Sequence, residues 1–295
     1  MEMTRRQWFR RTAWATLGVG GTLAGTAVYG TRWETEFLEI TRVHIPLPPR
    51  LQDLAGLRLV WLSDLHLYPH TRLPYIERVA REAALLEPDL LFLGGDYVLD
   101  SAAAIYDLAG VLAQIPRGLG AFAVTGNHDI WQGRRIIEAE LRRRDFRVLV
   151  NDAEPLRHNG VRFWVAGVDD CWSGEPNLGE ALRRCPDGEP VVLLSHEPDP
   201  ADRYSADSRI FLQLSGHSHG GQVRFPGIGS PFLPPFGRKY PMGFYRVGGM
   251  YLYTNRGIGV TAPIRLNCRP ELTLFELVAA EEPPGYGDTL GRGTP

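Results

Sequence analysis

Five short apolar runs, each ending in a cluster of Asp, His or Asn, constrain this sequence more than any other feature. Residues 57–62 lead into Ser63-Asp64-Leu65-His66, 90–93 into Gly94-Gly95-Asp96, and 121–124 into Gly126-Asn127-His128-Asp129. Later, 191–194 lead into Ser195-His196-Glu197-Pro198, and 210–214 into Gly216-His217-Ser218-His219-Gly220-Gly221. Apolar runs this short, bounded by turn residues, are buried strands. Stretches of helical period at 73–86, 102–115 and 134–144 lie between the early ones, which predicts an α/β architecture. Further strand-like segments at 163–168, 250–253 and 272–275 follow without helices. Together they predict a layered β-sandwich flanked by helices. Residues 36–47 alternate apolar and polar, a strand that Pro46, Pro48 and Pro49 should end, with the core starting near Leu57.

Ligands of open α/β sheets bind where strands end at their carboxyl edge. Of the eight histidines, five (His66, His128, His196, His217 and His219) fall in these clusters. His44, His70 and His158 have no such setting and read as surface residues. Asp64 and His66 are two apart, so in extended backbone they point to one side, and His217 and His219 repeat the spacing. A single such cluster is more often a turn or a strand cap. All five in order predict a metal site. Carboxylate, amide and imidazole donors without a thiolate suit Mn, Fe or Zn.

The same residues carry a family resemblance. D-x-H at Asp64/His66, GD at Gly95-Asp96, GNHD at 126–129, the lone His196 and G-H-x-H at 216–219 resemble the calcineurin-like metallophosphoesterase superfamily. LQLSGHSHGGQ at 212–222, PPFGRKY at 234–240 and NRGIG at 255–259 are similar to its exported YkuE/YaeI-type branch. The resemblance implies two divalent ions, one held by Asp64, His66, Asp96 and His219. Asp96, Asn127, His196 and His217 would hold the other, with Asp96 bridging. It implies phosphoester hydrolysis with a metal-bridging hydroxide as nucleophile. His128 is then the candidate general acid, with a phosphate-binding cation as the competing reading, and Asp129 would orient its ring. Asn255, Arg256 and Arg265 are candidates for contact with substrate phosphate, a structural turn being as good an account of them. Tyr97 and Trp131, beside the candidate ligands, read as packing, with flanking of a substrate as the competing role, and Asp169 and Asp170 as turn caps.

The ends of the chain differ from its middle. Thr4-Arg5-Arg6-Gln7-Trp8-Phe9-Arg10 resembles a twin-arginine export signal. Residues 12–30 carry no charge and approach the span of a bilayer core. Residues 1–32 are therefore expected to be a signal or membrane anchor, 36–279 the metallophosphoesterase domain and 280–295 a disordered tail. The four arginines before residue 12 place the domain outside, at the outer face of the cytoplasmic membrane, in the cell wall or in the periplasm. The expected partners are the phosphoester substrate, the membrane and the twin-arginine export machinery. A net charge of −2 offers no footprint for nucleic acid. Cys171, Cys185 and Cys268, an odd number without CxxC spacing, read as free thiols. An envelope phosphoester is the expected substrate. A UDP-diacylglucosamine-type pyrophosphatase and a non-catalytic metal-binding protein on the same fold are the alternatives.

Overall fold

The computed structural model of the chain describes residues 5–279 and 285–286. Thr4 of the expected export signal and the side chains of Arg6 to Arg10 lie outside the described residues. So do residues 280–284 and 287–295 of the expected tail.

The uncharged N-terminal segment is one helix, α1 (Arg5–Arg32). Among the described residues no helix is long and apolar enough to cross a membrane. α1 has the length, but its many Gly, Ala and Thr residues leave it only mildly hydrophobic. Its end meets the domain where the Arg265 N–H donates to the Gly30 carbonyl at 2.9 Å.

Two sheets follow. The first takes β1 (Glu39–Leu47), β2 (Arg58–Leu62), β3 (Leu90–Leu93), β4 (Gly120–Ala123), β5 (Arg147–Val148), β12 (Glu271–Ala279) and β13 (Gly285–Tyr286). Its order is β13-β1-β12-β2-β3-β4-β5. Helices α2 (Leu73–Leu85), α3 (Ile105–Leu112) and α4 (Asn127–Arg143) connect the parallel run β2 to β5. The second sheet takes β6 (Asp152–His158), β7 (Val161–Gly167), β8 (Val191–Leu194), β9 (Ile210–Ser215), β10 (Gly243–Val247) and β11 (Met250–Thr254). Its order is β10-β11-β9-β8-β7-β6, with the short helices α5 (Leu178–Ala181) and α6 (Ala201–Tyr204) before β8 and β9.

Strands buried on both faces need continuous apolar sequence, and β3 (LLFL) and β8 (VVLL) are fully buried. Trp61, Phe92, Phe122, Val165, Leu212 and Phe275 interdigitate between the sheets. Ile76, Val79, Leu108, Leu112 and Ile137 seal the helical face of the first sheet. Trp164, Leu193, Ala201 and Tyr204 form the outer layer of the second. The predicted helix-flanked sandwich is the observed one.

The strand predicted over 36–47 is β1, which ends at Leu47 and pairs in parallel with β12 over its whole length. Three local readings change. α4 begins at Asn127, seven residues before the predicted helix, and bends at Gly133, whose φ is 146°. Gly285 and Tyr286 pair with His44 and Val43, placing two tail residues at a sheet edge. Asp64 and His66, read as extended, have φ of 53° and 43°.

Candidate metal centre

Each ligand cluster is the loop at the carboxyl end of a parallel strand, and the two sheets bring these ends together. The loops are tied to one another through their backbones. The Asp64 N–H donates to the Gly95 carbonyl at 2.9 Å, His66 N–H to Asp96 O at 3.0 Å, and Gly216 N–H to His196 O at 2.9 Å. The His217 N–H is 3.0 Å from both Asp64 carboxylate oxygens, and the His128 N–H donates to Asp96 Oδ1 at 2.9 Å. Five of the seven proposed ligands, Asp64, His66, Asp96, His217 and His219, sit in left-handed backbone with φ between 43° and 67°. Such residues cost about 1–3 kcal/mol each and persist only where surroundings over-determine them, typically at functional sites. Glycine is required where loops close on ligands. A Cβ on Gly126 would lie 2.3 Å from Asp96 Oδ1, and one on Gly216 2.3 Å from Asp64 Oδ2.

The donor atoms gather in two overlapping groups. Asp64, His66 and His219 form one; Asp96, His196 and His217 form the other; His66, Asp96 and His128 link them. His66 Nε2 and His219 Nε2 are 3.0 Å apart, and His219 Nε2 is 3.4 Å from Asp64 Oδ1. Asp96 Oδ2 lies 3.6 Å from His66 Nε2 and 3.3 Å from His196 Nε2, between the groups, as a bridging carboxylate must. All seven proposed ligands are buried.

Hydrogen bonds fix two tautomers. His196 Nδ1 lies 2.7 Å from the Gly94 carbonyl and His217 Nε2 lies 2.8 Å from the Pro235 carbonyl. A carbonyl only accepts, so those two nitrogens carry the protons. The other two, His196 Nε2 and His217 Nδ1, face each other at 3.2 Å, with Asp96 Oδ2 3.3 Å from His196 Nε2. Two ring nitrogens converging beside a carboxylate call for a cation there, a proton or a metal ion, and carbonyl partners behind the rings are the usual support of metal-bound histidine. Asn127 Oδ1 is also buried, without a hydrogen-bond partner among the described residues. The residues present therefore fit divalent ions.

The electrostatics point the same way. Burial pushes the His66 and His217 imidazoles down to about 3 and His219 well below its ordinary range, so they stay neutral and ligand-ready. Burial pushes the His196 imidazole down and the Asp96 carboxyl up, but the attraction between the two outweighs it, holding His196 well above and Asp96 below its ordinary range.

A cavity of about 930 Å³ opens from this centre, with Asp96, Asn127, His128, His217 and His219 at one end and Phe225, Phe232, Leu233 and Ile264 along another side. Trp172 lines it. The Trp131 ring lies 4.9 Å from that of His128 and 5.2 Å from that of Trp172. Trp131 is half exposed, so it borders the site where packing was predicted. The buried carboxylates of Asp170 and Glu197 each accept the Trp172 N–H at 3.0 Å and so hold that loop. Asp170 thus caps a turn, as predicted. Tyr97 is fully buried and its hydroxyl donates to the Val124 carbonyl.

Four sequence-based roles are corrected. Asp129 does not touch the His128 ring. Its carboxylate accepts the backbone N–H groups of Asp96 (2.8 Å), Tyr97 (2.9 Å) and Gly126 (3.0 Å), because adjacent residues in a helical turn do not face each other. Asn255 is buried between strands, accepting from Ser63 Oγ and Gly257 N–H and donating to Thr273 Oγ1 and the Glu271 carbonyl. Arg256 is ion-paired with Glu271 at 2.8 Å and Glu39 at 3.3 Å. Arg265 is fully buried and donates to the carbonyls of Cys268, Arg256, Gly257 and Gly259. None of the three lines the cavity. Arg238 does; it stands in the PPFGRKY stretch, which carried the family resemblance but no assigned role. All three cysteines are free.

Comparison with known proteins agrees with this geometry. The calcineurin-like phosphoesterase family matches residues 57–221. The chain is 35% identical over 233 residues to Phosphodiesterase YaeI of Escherichia coli, covering 77% of this chain and 84% of that protein. It is 31% identical over 282 residues to the Uncharacterized metallophosphoesterase YkuE of Bacillus subtilis, covering 94% and 98%. UDP-2,3-diacylglucosamine pyrophosphatase LpxG of Chlamydia trachomatis is 26% identical over 312 residues, covering 85% and 92%. On its fold, its buried donor set and these matches, the chain belongs to the calcineurin-like phosphoesterases and is a metal-dependent phosphoesterase.

Proposed function

We propose that the chain hydrolyses a phosphoester of the bacterial cell envelope, using two divalent ions. One is held by Asp64, His66, Asp96 and His219, the other by Asp96, Asn127, His196 and His217. The observation that carries this is the convergence of His196 Nε2 and His217 Nδ1, 3.2 Å apart, beside the Asp96 carboxylate. Bound ions would supply Lewis-acid charge to the phosphoryl oxygens and acidify water. The remaining roles belong to side chains. His128 is half-buried, its Nδ1 has no hydrogen-bond partner among the described residues, and it lines the cavity. In this reading it gives a proton to the departing oxygen. Arg238 is the guanidinium on the cavity wall suited to a phosphate oxygen. Asp129 holds the backbone that carries Asp96.

The envelope location rests on the sequence. Arg5 and Arg6 followed by an uncharged stretch are what the twin-arginine machinery reads, and the arginine bias leaves the domain on the outer face. Replacing both arginines with lysine should keep the protein inside the cell; continued export would reject that route. A lipid-linked pyrophosphate is the second reading, favoured by the apolar side of the cavity and by the activity in the LpxG name. The test is kcat/KM of the metal-loaded protein on envelope phospholipids, teichoic-type polymers, UDP-diacylglucosamine, nucleotides and cyclic nucleotides. Elemental analysis should find two ions per chain. Preference for a soluble nucleotide, or full activity after chelation, would overturn the proposal.

A further inference from the structure

Residues 223–236 leave four large apolar side chains in water beside the cavity. Ile228 is 79% exposed, Phe232 80%, Phe225 45% and Phe236 40%. Isolated apolar side chains are ordinary on a surface, but four on one short segment form a patch that calls for a partner. Phe225 and Phe232 also line the cavity, so the patch is the cavity's own lip.

The lip is joined to the end of α1 through residues 264–269. On one side, Val223 bridges to Leu266, the Arg224 N–H donates to the Leu266 carbonyl at 2.9 Å, and Asn267 Nδ2 donates to the Arg224 carbonyl at 3.0 Å. On the other side, the Arg265 N–H meets Gly30 and the Arg269 guanidinium covers the Phe37 ring at 4.2 Å. Trp33 and Phe37, at the foot of α1, are 64% and 52% exposed. Residues 223–240 and 260–270 contain no Asp or Glu and carry Arg224, Arg238 and Arg269; beside Phe37 stand Glu34, which is buried, and Glu36, which is exposed. Over the lip and the segment it pairs with, apolar and aromatic side chains interleaved with arginines match a membrane–water interface with anionic headgroups.

We infer that residues 223–236 dock on an anionic lipid bilayer, so that the cavity opens at the membrane surface. The bilayer is the occupant because the lip is joined to the end of α1, whose sequence reads as the export signal, and because the charge over residues 223–240 and 260–270 has one sign. The inference takes its compartment from the envelope reading above. Its test reads docking and not hydrolysis, so either can fail without the other.

The experiment is hydrogen–deuterium exchange of the full metal-loaded chain with vesicles of phosphatidylglycerol and phosphatidylethanolamine, or of phosphatidylcholine. Peptides spanning 223–236 should gain protection with the anionic vesicles and much less with the neutral ones. Ile228→Asp with Phe232→Asp should abolish that protection and weaken vesicle partitioning at least about tenfold. Its melting temperature should hold, since both side chains are already in water. Arg224→Gln with Arg269→Gln should lower partitioning on anionic vesicles alone. Protection confined to α1, with 223–236 exchanging as in solution, would overturn the inference. So would protection of 223–236 that grows with protein concentration without vesicles, which would make the occupant a second copy of this chain.

Discussion

Replacing Asp129 with Asn tests the corrected role of this residue most directly. The two side chains have nearly the same volume, so packing is preserved and only hydrogen bonding changes. The carboxylate is fully buried and accepts three backbone N–H groups, those of Asp96 and Gly126 on Oδ2 and that of Tyr97 on Oδ1. A carboxamide can keep two of these on its oxygen. Its NH₂ must then face the third N–H, donor against donor, which costs about 1–3 kcal/mol. Burial and the Asp96 charge push this carboxyl up to about 8 against the pull of its N–H donors, so no further loss is counted for its charge. The cost of about 1–3 kcal/mol is a fall in Tm of at least about 2 °C. Because the Asp96 and Gly126 backbones flank the bridging carboxylate, metal affinity should fall with stability. The assays are thermal melts, metal titration, and kcat on one substrate with a p-nitrophenyl and one with an alkyl leaving group. Both rates should fall together once ions are lost. If Asp129→Asn kept its metals and stability but lost rate only on the alkyl ester, the residue would be acting through the His128 proton, and the reasoning here would be refuted.

Other consequences follow from the same geometry. Gly126→Ala should lose metal while the fold persists, because its Cβ would be forced to within 2.3 Å of Asp96 Oδ1; elemental analysis of the folded variant checks this. His128→Ala should retain both ions and lose about 10²–10⁴ in kcat; loss of metal would mean that it is a ligand. Arg238→Ala should raise KM for a phosphoester with stability unchanged. Arg265→Met should do the reverse, unfolding the protein more readily by leaving the carbonyls of Cys268, Arg256 and Gly259 without this donor, while that of Gly257 keeps the Glu271 N–H. Burial pushes the Glu271 carboxyl up, but Arg256 outweighs it and holds it below the ordinary range. Its stabilisation is therefore present above the unfolded pKa of about 4.3 and lost as pH falls further. Glu271→Gln should cost about 3–5 kcal/mol near neutrality, with the difference from the parent shrinking below about pH 4 in urea titrations.

The clustered donor set was legible because each donor is tied to the strand before it. A buried parallel strand is a short apolar run, its end is a turn, and a catalytic turn shows its Asp, His and Gly directly in sequence. The sandwich follows from the same alternation. What escaped detection depended on contacts distant in the chain. Nothing local to Arg256 or Arg265 tells whether a guanidinium will meet phosphate, carboxylate or backbone. β12 inserts between β1 and β2 and thereby places Glu271 and Glu39 against Arg256, while the turns at 257–259 and 268 supply Arg265 with carbonyls. Asp129 was misread because the GNHD motif hid a helix start: once Asn127 opens α4, neighbouring side chains diverge, and Asp129 turns toward the Asp96 loop. In the sequence the cavity lip is a stretch rich in Pro and Phe between residues 225 and 236. Its place beside the metal centre and the foot of α1 is set by pairing with residues 264–269, some forty positions away. The sequence alone thus determined which side chains gather as donors, since strand-end chemistry is local. The tertiary structure alone decided which arginines are buried in the framework and which one faces the cavity, since a long cationic side chain takes its role from whatever the fold brings to it.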